Sequence, residues 1–89
     1  MKMPLSGTLY VEANNPECDK AALLCHHLVD KGVLSCTVTD ITSEVEVRSA
    51  IRERTGSVRL PILDLVNIAI FHYGAMLTYF SRELRDLNL

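Results

Sequence analysis

The stretch Asn14-Asn15-Pro16-Glu17-Cys18-Asp19-Lys20-Ala21 holds the residues best placed for chemistry. Asn15 is a suitable N-cap, because its side-chain oxygen can accept from the unpaired amides of a first helical turn. Pro16 then falls at the first helical position, where its missing N–H costs nothing. Cys18 lies in that turn. A thiol there sees the positive end of the helix dipole and several free amides, an environment that lowers a cysteine pKa and makes a thiolate available. Glu17 beside it works the other way, since a neighbouring negative charge disfavours the thiolate. The competing reading of Cys18 is structural, as a small apolar residue on the inner edge of a helix.

Composition narrows the field. The 89 residues are 48% hydrophobic, enough to bury one core and too few for two, so a single domain over residues 1–89 is expected. A net charge of −2 leaves no basic footprint, which argues against nucleic acid as a partner. The first seven residues carry one lysine and no apolar core of a leader, and no run approaches the ~20 apolar residues of a membrane helix. The expectation is a cytoplasmic chain that does not enter membranes. Cys18, Cys25 and Cys36 are odd in number and match no metal-ligand spacing, which points to three reduced thiols and no metal site.

The elements that must hold the turn follow from periodicity. Residues 8–13 read as a first strand after Gly7, and a helix then runs from Pro16 to about Lys31 with Gly32 at its end. Cys18, Ala21, Leu24, Cys25 and Leu28 form its inward face, while His26 and His27 fall outside it. Residues 33–41 make a second strand with Leu34, Cys36 and Val38 on one side. The intervening helix makes the two strands parallel, and the one-sided alternation suits a sheet edge. Thr42 or Ser43 caps a second helix over residues 44–54, with Val45, Val47, Ala50 and Ile51 apolar. Its other face mixes charges and reads as solvated, with Arg48, Arg52 and Arg59 as an alternative anion site. Residues 58–65 form a third strand entered at Pro61, Val66-Asn67 turns the chain, and residues 68–71 complete a hairpin. A terminal helix opens at His72 and continues through Arg85, and Met76, Leu77, Phe80, Leu84 and Leu87 give it an apolar stripe, either cover for the sheet or a homodimer face.

Three segments carry a resemblance. Asn15-Pro16-Glu17-Cys18 followed by Asp19-Lys20-Ala21-Ala22-Leu23-Leu24 is similar to the Cys-Pro-x-Cys turn of glutaredoxins and thioredoxins, with Asn15 in place of the attacking cysteine. Leu60-Pro61 resembles the cis-proline element of that fold, whose preceding residue pairs through its backbone with glutathione or a substrate peptide. Residues 72–80 look like a Glu-Ser-x-Ala-Ile-x-x-Tyr-Leu run in the N-terminal domain of glutathione transferases. His72 and Tyr73 stand where the pair gripping the γ-glutamyl group would be. The resemblance implies a thioredoxin (glutaredoxin-like) α/β fold, β-α-β-α-β-β-α, with a four-stranded mixed sheet flanked by three helices. It also implies a groove lined by Asn15, Pro16, Glu17, Leu60, Pro61, His72 and Tyr73, with Cys18 beside it.

Two functions follow from that groove. An amide cannot attack a disulfide, so the first is a noncatalytic binding module for a protein partner or glutathione. The alternative is an atypical glutathione-dependent thiol-disulfide oxidoreductase or transferase-like enzyme in which Cys18 acts alone. A part in a larger transferase-like assembly is a further expectation of the resemblance.

Overall fold

Strand β1 (Leu5–Val11) organises the sheet, because it is paired on both edges. The computed structural model describes residues 5–56, 59–65 and 68–84. The expected turn at Val66-Asn67, Val58 at the head of the third strand, and Arg85 and Leu87 of the last helix lie outside these residues. β1 begins three residues earlier than its β-formers suggest, since Leu5 already pairs with Leu34. Helix α1 (Pro16–Asp30) connects it to β2 (Leu34–Asp40), and the two strands run parallel from Leu5 opposite Leu34 to Val11 opposite Asp40. Helix α2 (Val45–Thr55) leads to β3 (Ile62–Leu65), which is antiparallel to β1 and forms a hairpin with β4 (Ala69–Phe71). The sheet order is β2-β1-β3-β4, with β2 at an edge. This mixed four-stranded arrangement is the thioredoxin-like fold.

Period-two alternation divides the core. Leu9, Leu63 and Ile70 project to one face, where Ala21, Leu24, Cys25 and Leu28 of α1 meet Met76, Phe80 and Leu84. Ile62 projects to the other, packed with Ile41, Ile51, Leu60 and Cys18. Helices therefore cover both faces. All five inward positions of α1 are buried, and full burial of a leucine such as Leu24 or Leu28 contributes about 1.5–3 kcal/mol. Gly7 is required where β1 meets β3: a Cβ there would lie 2.9 Å from Asp64 O and 2.7 Å from Leu65 Cδ2.

Helix α1 ends in a Schellman arrangement. Gly32, at φ 79°, donates to Val29 O, and Val33 donates to Leu28 O. Lys31 is the capping residue, so Gly32 sits one position beyond the cap expected for it.

Helix α2 departs from expectation in two ways. Neither Thr42 nor Ser43 caps it; Glu44 occupies the N-cap without a side-chain bond. Thr42 is held instead by Asp40, whose Oδ1 accepts from both its amide and its hydroxyl, while its Oγ1 accepts from Ala13 N. Of the apolar positions, only Ile51 and Val47 reach the core; Val45 and Ala50 are exposed.

The last helix also differs, being α3 (Tyr73–Tyr79) and α4 (Ser81–Leu84) with a break at Phe80, where φ is −101° and ψ is 20°. Positions four apart drift by about 40° around an unbroken helix. The break offsets that drift and keeps Met76, Phe80 and Leu84 all buried on the sheet.

Candidate functional site

The groove is built at the end of β1, where the chain must turn into α1. Asn14 takes φ 59°, a left-handed conformation that asparagine tolerates better than most residues. Asn15 then returns to extended values, φ −123° and ψ 102°, as an N-cap should. Its Oδ1 accepts from Glu17 N at 3.0 Å and Cys18 N at 3.2 Å. Its Nδ2 donates to Glu12 Oε2 at 2.9 Å and approaches Leu60 O at 3.4 Å. A carboxamide offers two acceptor directions and two donors, and all four are engaged here.

Glu12 is the member of the site that the reading of residues 15–24 missed. One carboxylate oxygen takes the Asn15 amide; the other meets Arg48 Nη2 at 2.6 Å, while Arg48 Nε donates to Ile41 O at 3.1 Å. Arg48 is therefore neither a solvated face residue nor part of an open anion site. The Asn15 and Arg48 hydrogen bonds hold the Glu12 carboxyl below its ordinary range. An acidic residue closing a strand just before a helix N-cap is the sequence signal, but nothing local connects it to position 48.

Leu60 and Pro61 arrive from the other side as the entrance to β3, joined by a cis peptide bond. Pro61 O accepts from His72 N at 3.1 Å, fixing the start of α3 to the same place. His72 is the N-cap of α3, with its Nδ1 accepting from Ala75 N at 3.1 Å. Tyr73 N donates to Glu17 Oε2 at 3.4 Å. A carboxylate of the chain itself thus sits at the first amide of α3.

The result is a cleft of about 460 Å³ lined by Glu12, Asn15, Glu17, Arg59, Leu60 and His72. Pro16, at the first position of α1, is exposed beside it; Pro61 is buried behind Leu60, and Tyr73 is half-buried next to Glu17.

Cys18 is in the floor beneath the cleft and is 1% exposed. Its pKa is raised, first by burial, with Glu12, Glu17 and Asp19 adding to the effect. The expected lowering by the helix terminus is overturned because desolvation of the thiolate outweighs the amides and dipole. The cleft therefore offers mixed charge, a backbone edge at Leu60 and no accessible thiolate.

Among the described residues no group of three or more His, Cys, Asp or Glu side chains converges as a metal site, and no helix is long and apolar enough to cross a membrane. No known family model matches the sequence, and no curated protein is significantly similar to it.

Proposed function

We propose that this chain is a glutaredoxin-like protein that has lost the attacking cysteine and works in the cytoplasm as a noncatalytic binding module, holding an extended protein segment against Leu60. The observation that carries this reading is the saturation of Asn15. Its carboxamide is spent on capping α1 and on tying Glu12 to Leu60, and the sulfur of Cys18, next to the cap, is buried with a raised pKa. A protein segment is favoured over glutathione because Glu17 already presents a carboxylate to Tyr73 N, and a second carboxylate would meet its repulsion. A peptide backbone laid along Leu60 needs no such anion site.

The test has two arms. In a glutathione-coupled assay of disulfide reduction, wild-type protein should show no turnover above that of Cys18→Ser. Wild-type protein used as bait should capture a partner that is lost with the double variant Glu17→Lys, Arg59→Glu, both positions being exposed at the cleft, in protein whose circular dichroism matches wild type. Turnover that disappears in Cys18→Ser, or equal capture by both baits, overturns the reading.

A further inference from the structure

We propose that Cys25 and Cys36 form a hydroperoxide-responsive dithiol, which closes to a disulfide between α1 and the edge strand β2. The two are eleven residues apart in sequence, and each reads locally as an ordinary core position. Packing of α1 on β2 brings them together. Cys36 packs against the buried cluster that contains Cys25, and both line a hollow of about 140 Å³ with Ala22, His26, Val29 and Val38.

This site is separate from the cleft. Cys25 lies seven residues along α1 from Cys18, or about 10 Å at 1.5 Å per residue. Cys18 packs with Ile41, Ile51, Leu60 and Ile62, in a different buried cluster from the one that holds Cys25.

The two thiols differ in access. Cys25 is 1% exposed, whereas Cys36 is half-buried on β2, the edge strand of the described sheet. A peroxide can therefore reach Cys36 and not Cys25. Their acidities divide in the same sense: a Cys25 S–H beside it, helped by the Leu9 backbone, favours a Cys36 thiolate and brings its pKa down to about 7. Burial and the same pairing push Cys25 up. Cys36 Sγ lies 3.6 Å from Thr37 O.

The chemistry balances in two steps. The Cys36 thiolate attacks one peroxide oxygen; an S–O bond forms, the O–O bond breaks, and the departing alkoxide or hydroxide takes up a proton. Sulfur has lost two electrons to the peroxide and is a sulfenic acid. Cys25 then attacks that sulfur; an S–S bond forms, the S–O bond breaks, and water leaves with the Cys25 proton. Overall, two thiols and one hydroperoxide give one disulfide, one alcohol or water from the peroxide, and one further water.

The experiment is oxidation of the reduced, full chain with one equivalent of hydrogen peroxide, followed by intact mass and non-reducing peptide mapping. The expected result is a loss of about 2 Da per chain, for two hydrogens removed, with a Cys25–Cys36 link that dithiothreitol reverses. Cys18→Ala should retain the loss and Cys36→Ser should abolish it. Cys25→Ala, which keeps a small apolar residue in the core, should instead stop at a Cys36 sulfenic acid with one equivalent, a gain of about 16 Da, and reach a sulfinic acid, a gain of about 32 Da, only with a second equivalent. A link that contains Cys18, a chain-to-chain disulfide in place of the internal one, or an unlinked sulfinic acid in the wild-type protein overturns the proposal. The wild-type map decides the matter without relying on the fold of any variant.

Discussion

The side-chain Nδ2 of Asn15 lies 3.4 Å from the carbonyl oxygen of Leu60, forty-five residues further along the chain. One carboxamide thereby joins the N-cap of α1 to the residue before Pro61, while its oxygen satisfies two amides of the first helical turn. Asn15→Ala removes the cap and the tie together. The expected loss is about 1 kcal/mol, within the 0.5–2 kcal/mol span of N-cap replacements, or roughly 4–8 °C in Tm for a domain of this size. A thermal melt checks it, and an unchanged Tm would show that the cap does not hold the helix.

Placing sulfur at this position tests the proposed reading of the groove. In Asn15→Cys the new thiol faces the amides of Glu17 and Cys18, which favour its thiolate. The variant should form a mixed disulfide when incubated with oxidised glutathione, a gain of one glutathionyl group by mass, under conditions where wild type does not react at residue 15 or 18. Failure to react would mean that the cleft does not admit a thiol-bearing ligand.

Glu12 and Arg48 make stability depend on acidity. The folded carboxyl of Glu12 is held below its ordinary 4.5, so its contribution is fully present above that value and disappears as pH falls through the lower, folded pKa. Both side chains are partly solvated, at 29% and 30%, which limits the pair to about 1 kcal/mol or less. The Tm difference between wild type and Glu12→Gln should be constant near neutrality and should close below pH 4.5. A difference that persists in acid would place the effect of the substitution elsewhere.

Gly7 allows β1 and β3 to approach. Its absent Cβ would meet the backbone oxygen of Asp64 at 2.9 Å, and a backbone atom within a sheet cannot step aside as a side chain can. Gly7→Ala should lower stability by about 1–3 kcal/mol, typical of overpacking, in denaturant titrations with an unaltered slope. A gain in stability, the usual result of Gly→Ala in a strand without a clash, would contradict the close approach.

Thiol labelling should rank the three cysteines. Cys36 is half-buried with a pKa of about 7; Cys18 and Cys25 are each 1% exposed with raised pKa values. In folded protein, iodoacetamide should modify Cys36 first, with a rate that reaches half its plateau near pH 7, against about 8.5 in the unfolded chain. Cys18 and Cys25 should react only on unfolding. Early modification of Cys18 would reopen its case as a nucleophile.

What the chain alone determined is what lies within a few turns of itself. Apolar residues at helical spacing along α1 marked all five of its buried side chains, because 3.6-residue periodicity is a local property. Asn15 before Pro16 marked the cap, and a helix between two strands made β1 and β2 parallel. The reading failed where a choice depended on a distant partner. Thr42 was a plausible cap for α2, yet Asp40 and Ala13 claim its hydroxyl. Val45 and Ala50 had the spacing for a core, but the helix turns only Val47 and Ile51 toward the sheet.

Folding in three dimensions decided the rest. Cys18 has the local environment of a reactive thiol and becomes inert only because Ile41, Ile51, Leu60 and Ile62 close over it, removing the water its thiolate would need. Glu12 meets Arg48, Asn15 meets Leu60, and Cys25 meets Cys36 through contacts between separate elements. Such contacts depend on how helices settle on a sheet, a result of packing summed over the whole core. Hydrophobic periodicity records which face of an element is buried, and carries no information about which side chain of another element it will find there.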